Sequence, residues 1–253
     1  MRLVAFCEAP SDYRMARDLI DRVLRERGAT WIRDVMESAP DGIRSFEGDG
    51  QGREYFDLHK LGEYTSRLGL RAPQGHFDGR PGAAGAMMAR TVFVLARALE
   101  KTRGALDAVV LLWDMDDEPR VRREGLEQAR REAVGRDAVR IVLGCPNAMR
   151  EAWVLVGFEP GDADEASRVA VLRQELGFSP IDDAHQLDSN DETAKRSPKR
   201  VLRALTRDDP DRETRCWLET SLEALRARGG ETGLARFLTE IEEQLLPLCG
   251  RGG

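Results

Sequence analysis

The chain has 253 residues, a formal net charge of -6, and 41% hydrophobic and 33% charged residues. That size suits one globular domain with an insertion or a small appendage, and the acidic balance argues against coating nucleic acid by bulk electrostatics. No apolar stretch approaches the roughly 18 residues of a membrane helix, and the amino terminus does not read as a signal peptide, so a cytoplasmic protein is expected.

The chain opens with an apolar strand, Leu3-Val4-Ala5-Phe6-Cys7, followed at once by Glu8. Ser11 is placed to cap a helix whose Met15, Leu19, Ile20, Val23 and Leu24 share one face, and Gly28 is placed to end it. Thr30 to Val35 reads as a second strand. The Gly- and Asp-rich stretch 40–85 reads as a loop-rich insertion.

Met88, Thr91, Val92, Leu95, Ala98 and Leu99 repeat with helical period and lead into the strand Ala108 to Trp113, which ends in Asp114 and Asp116. Pro119 suits the first turn of a charged helix, followed by the strand Val139 to Leu143. Alternating strand and helix predict an α/β fold with a mostly parallel sheet and right-handed crossovers. Further helices are expected around Met149 to Val156, from Asp162 to Leu176, and from Ser197-Pro198. Two more are expected in the tail, one holding Leu218, Leu222 and Leu225, the other Leu234 to Leu245. The expected division is an α/β domain over 1–178 and a helical extension over 179–253.

Cys7, Cys145, Cys216 and Cys249 are scattered and read as reduced thiols, not zinc ligands. His59, His76 and His185 fall in polar loops with no partner at ligand spacing and read as surface histidines; His185, among acids, stands out. Trp153 and Trp217 read as core residues.

The chemistry concentrates in acids at strand ends. Glu8 and Asp12 lie four residues apart across a strand-to-helix turn, while Asp114 and Asp116 share a face of an extended segment. Ligands of open α/β sheets gather outside the carboxyl ends of the strands, so the two pairs are expected to converge. Carboxylates that close repel unless a cation lies between them, and oxygen ligands favour Mg²⁺ or Mn²⁺ over zinc. Asp117 and Glu118 read as acids favoured by the dipole of the helix they precede.

A glutamate after the first strand and an Asp-x-Asp after a later one resemble the TOPRIM superfamily, here as Phe6-Cys7-Glu8-Ala9-Pro10-Ser11-Asp12 and Leu112-Trp113-Asp114-Met115-Asp116. The resemblance spans Met1 to Phe158 and implies a Rossmann-like fold with a Mg²⁺- or Mn²⁺-dependent site that cleaves or joins nucleic-acid phosphodiester bonds. Overcoming-lysogenisation-defect nucleases of that superfamily carry a second acid where this chain has Asp12 and a downstream lysine, a role open to Lys195 or Lys199. Arg150 to Trp153 resembles the helix that brings a further acid to the site in small stand-alone members, which implies Glu151 as an extra ligand. The chain departs from the pattern at Ala9 and at Asp117-Glu118-Pro119, where many members have glycine.

The resemblance implies a nuclease, with anti-phage defence as the setting. No phosphate-binding G-x-x-x-x-G-K-[ST] loop is present, so an ATPase partner would be a separate chain. Two other readings stay open. Trp113-Asp114-Met115-Asp116 also resembles the nucleophile motif of haloacid-dehalogenase-type phosphatases, with Asp114 attacking phosphate. Alternatively the chain is a non-catalytic TOPRIM-like interaction subunit. The apolar faces of the tail helices are expected on the chain's own core, with a partner or a homo-oligomer as their other use.

Overall fold

A computed structural model describes residues 1–71, 76–77, 80–81, 85–115, 119–133 and 139–250. It has two compact units: Met1–Trp113 with Glu118–Gly144 and Glu240–Gly253, and Asp114–Asp117 with Cys145–Thr239.

The first unit holds the sheet. Strand β1 (Arg2–Cys7) is apolar on both faces, and from Leu3 onward every residue is buried. That is the signature of a central parallel strand covered on both sides. Helix α1 (Pro10–Arg27) returns along the sheet with Met15, Leu19, Ile20, Val23 and Leu24 buried, and Gly28 follows as its C-cap. Its N-cap is Ala9, not Ser11; Pro10 takes the first helical position, which suits proline because no N–H is needed there.

The expected strand at Thr30 to Val35 is instead helix α2 (Thr30–Ser38). Ile32 and Met36, four apart, are its buried residues, while Trp31 is half exposed. Its short run of β-branched and aromatic residues mimics a strand, but the apolar period that decides is that of a helix.

The loop-rich stretch that follows supplies two strands. Both β2 (Ser45–Glu47) and β3 (Phe56–Asp57) run parallel to β1, pairing Arg2 with Ser45 and Cys7 with Asp57 respectively. They occupy successive lengths of the same flank of β1. Short helix α3 (Leu61–Arg67) follows, then an antiparallel pair of strands, β4 (His76–Phe77) and β5 (Arg80–Pro81), that does not join the sheet.

Helix α4 (Ala86–Arg103) has Val92, Leu95 and Leu99 fully or nearly buried. The chain then crosses to the other flank of β1, where β6 (Ala108–Leu112) pairs Phe6 with Leu111. Helix α5 (Pro119–Ala133) connects to β7 (Arg140–Gly144), which pairs with β6. The order β2-β1-β6-β7, with β3 also on β1 and all pairs parallel, is the α/β architecture expected from the alternation. After β1 the chain moves toward β2, and after β6 it moves toward β7. Their carboxyl ends therefore bracket the point where the connections diverge, the crevice in which open α/β sheets bind ligands.

The second unit is helical: α6 (Arg150–Val156), α7 (Ala163–Leu176), α8 (Pro198–Thr206), α9 (Pro210–Leu218), α10 (Leu222–Arg228) and most of α11 (Leu234–Gln244). Helix α12 (Leu246–Cys249) is the last element described. The single helix expected over Leu218 to Leu225 is two, α9 and α10. The Thr220 hydroxyl donates to the Gly157 carbonyl, and Ser221 caps α10 by accepting from the Ala224 N–H, so the polar pair breaks the helix.

Trp153 is fully buried, stacks on Phe237 with centroids 5.2 Å apart, and donates its indole N–H to the Thr232 carbonyl. Buried Arg212 forms a two-pronged pair with Glu165 and lies 4.1 Å from the centre of the Phe158 ring. Trp217 is buried as expected.

Candidate metal centre at the strand ends

Glu8 leaves the carboxyl end of β1, with its side chain 24% exposed. Cys7 before it is buried, and its thiol is pushed well above its ordinary pKa, first by burial and then by the carboxylates of Asp12 and Glu8. Both acids therefore bear on the same strand end. That field also makes Cys7 a packing residue and not a nucleophile.

Asp12 has a structural task. Its Oδ2 accepts from the Ala9 N–H at 2.9 Å, satisfying a donor at the start of α1, and the residue is buried. Ala9 itself is extended, with φ -139°, so alanine carries no strain there.

The neighbour of Glu8 that sequence reasoning missed is His59. It sits in a 3-10 turn, Leu58–Lys60, directly after β3. Because β3 pairs Asp57 with Cys7, the turn is held beside the end of β1. The Asp57 Oδ1 accepts the His59 N–H at 3.0 Å, and His59 Nε2 stands 3.9 Å from Glu8 Oε1. His59 is an exposed surface histidine, and its approach to Glu8 comes from the pairing of β3 with β1 and not from spacing along the chain. A two-residue strand after a glycine-rich run carries too little periodicity to be seen in sequence.

Asp114 follows β6 and belongs to the second unit. Trp113 extends the ladder through its N–H to the Gly144 carbonyl. The Asp114 Oδ1 accepts from the N–H of Arg150, the first residue of α6, at 3.2 Å. This places Asp114 at the helix turn that carries Glu151. Arg150 is buried and its guanidinium lies 3.4 Å from Glu151 and 3.6 Å from Glu213. Burial raises the Glu213 carboxyl above its ordinary pKa, Arg150 opposes that shift, and Glu151 adds to it. Glu213 is a member of this network that no spacing in the sequence signals.

Asp116 lies outside the described residues, as do Asp117 and Glu118. Lys199 is ion-paired with Glu192 at 3.2 Å, and Lys195 is exposed just before α8. The nearby basic run is largely neutralised: Arg200 pairs with Glu175, and Arg203 with Asp208. His185 is exposed in a 3-10 turn, Ala184–Gln186.

Among the described residues, no three His, Cys, Asp or Glu side chains are grouped closely enough to hold a metal ion together. Mg²⁺ is commonly bound through one or two carboxylates together with waters and substrate phosphates. No described helix is long and apolar enough to cross a membrane. No protein-family model matches the chain, and no curated protein or solved structure matches it either.

Proposed function

We propose that the chain is a Mg²⁺- or Mn²⁺-dependent nuclease of TOPRIM type, with Glu8, Asp114 and Asp116 as its principal metal-binding acids. The observation that carries the reading is topological. Glu8 and the Trp113-Asp114 segment follow the carboxyl ends of adjacent parallel strands at the divergence point of the sheet.

A bound divalent ion supplies a polarised water and neutralises charge on a phosphodiester in transit. Glu8 would bind the ion from the β1 side. Asp114, steadied by the Arg150 amide, and Asp116 would bind it from the segment after β6. Asp12 supports Glu8 by fixing the turn between β1 and α1. Glu151 is the reserve acid on α6, and its tie to Arg150 would have to loosen for it to act as a ligand. Lys195 fits a phosphate-contacting role better than Lys199, which is engaged with Glu192. A defence setting and a separate ATPase subunit belong to the same proposal through the resemblance alone.

The test is incubation of purified protein with plasmid and single-stranded DNA or RNA in Mg²⁺ or Mn²⁺. Cleavage that is abolished by chelator and by Glu8→Gln or Asp114→Asn supports the proposal. No cleavage of any substrate, or cleavage unaffected by either substitution, refutes it.

A further inference from the structure

We infer that the outward face of α8, with the segment leading into it, is a binding surface for the phosphate backbone of nucleic acid, an inference that rests on the nucleic-acid substrate of the reading above. Residues 195–207 hold six basic side chains, Lys195, Arg196, Lys199, Arg200, Arg203 and Arg207, and no acidic one, in a chain whose net charge is -6. A local concentration of one sign gives an acidic chain a place that attracts a polyanion.

The helix fixes the direction in which these charges point. Val201, Leu202 and Leu205 are buried, so the opposite face of α8 is anchored in the helical unit. Pro198 opens the helix and the Ser197 hydroxyl accepts from the Arg200 N–H, which sets where it begins. Lys199 and Arg203, four residues apart, are neighbours along the helix surface, and Arg207 follows as the C-cap. The Arg203 and Arg207 side chains are 54% and 68% exposed, so both guanidinium groups are open to a large ligand.

The acids that meet this face are shared or exposed. Glu192 lies against both Lys199 and Arg203, and Asp164 divides its charge between Arg207 and Arg168. Asp208 pairs with Arg203, and Glu175 with Arg200. Asp191, just before the run, is committed to its own turn, accepting the Thr193 N–H and hydroxyl. The cations therefore outnumber the carboxylates that reach them. Exposed pairs of this kind contribute about 0–1 kcal/mol each, so a row of phosphates can take the place of the carboxylates at little cost. Arginine favours that exchange, because its planar fork matches two phosphate oxygens at once.

Fluorescence anisotropy of labelled DNA and RNA oligonucleotides, single- and double-stranded, with the full chain in chelator tests this without any cleavage. The expected result is an affinity that falls steeply as salt is raised, since each phosphate contact releases counterions. Arg203→Gln combined with Arg207→Asn should weaken binding about tenfold, alike for every sequence, and flatten the slope of log affinity against log salt by about 1.5. Asparagine tolerates the left-handed backbone of Arg207, at φ 59°, and both side chains are exposed, so the variant should melt as the native protein does. Arg131→Gln, at an exposed position on α5, is the control and should change neither affinity nor slope. If the double variant keeps native affinity and slope, or if an acidic polypeptide displaces the oligonucleotide as well as unlabelled nucleic acid does, the inference is overturned and the nuclease reading stands. If native protein binds no oligonucleotide even at low salt, the inference is overturned, and the cleavage assay decides the nuclease reading on its own.

Discussion

Removing the carboxylate of Glu165 should destabilise the helical unit in a way that depends on pH. Glu165 accepts two hydrogen bonds from Arg212, at 2.7 and 2.8 Å, and one from the Gly161 N–H at 2.8 Å. The Arg212 hydrogen bonds are the main reason its carboxyl falls from 4.5 to about 2. The residue is 8% exposed, so solvent screens the pair little. A depression of that size corresponds to about 3 kcal/mol of folding stability at pH 7, at 1.36 kcal/mol per pH unit.

The sign follows from the depressed value. The contribution is complete above the unfolded-state pKa, shrinks as pH falls below it, and is gone once pH has passed below about 2. Urea unfolding followed by tryptophan fluorescence suits the measurement, because Trp153 and Trp217 are both buried in this unit. Glu165→Gln should lose about 3 kcal/mol at pH 7 and roughly half as much near pH 3. Other carboxylates titrate in both proteins, so the difference between them isolates this one. A deficit under about 1 kcal/mol at pH 7, or one that stays constant with pH, would refute the reasoning.

Other perturbations have equally definite outcomes. A Cβ at Gly157 would run into the Cys216 backbone carbonyl, which cannot swing aside, so Gly157→Ala should cost about 1–3 kcal/mol by thermal melting; an unchanged melt would show that the backbones move apart freely. Asp12→Ala should cost about 0.5–2 kcal/mol through loss of the α1 cap, whereas Asp12→Asn keeps the acceptor and most of the stability; equal losses would point to a role for the charge itself. Cys7 is pushed up chiefly by burial and Cys216, also mainly by burial, to about 12, so both should stay unmodified by a thiol reagent at pH 8 until the chain is unfolded. Rapid labelling of either in native protein, read by mass spectrometry, would contradict the burial shown for them.

The strands of the sheet that carry apolar runs were legible in sequence because burial on both faces leaves an unbroken apolar signature, as in Leu3 to Cys7 and Ala108 to Leu112. Long amphipathic helices such as α1 and α4 were legible for the complementary reason, a sustained 3.6-residue period. The failures lie in short elements. Helix α2 carries only two buried positions, and β2 and β3 have three and two residues, so partner strands and not local pattern define them.

The same asymmetry holds at the candidate site. Glu8 and Asp114 stand out because each directly or nearly follows a conspicuous strand. His59 reaches Glu8 only through the pairing of β3 with β1, and Glu213 reaches Arg150 only through the packing of α9. Such encounters join residues about 50 or more positions apart, and no local periodicity encodes them. Asp12 was legible as an acid near Glu8, but its principal bond, to the Ala9 N–H, belongs to helix capping.

The central claim is that Glu8 and Asp114 bind the same ion or a bridged pair of ions. Anomalous diffraction from crystals soaked in Mn²⁺ tests it most directly. The expected result is a manganese peak within about 2.2 Å of carboxylate oxygens from both residues, either on one ion or on two ions about 3.5–4 Å apart. Manganese bound to one acid with the other turned away, or no manganese at either, would contradict the claim.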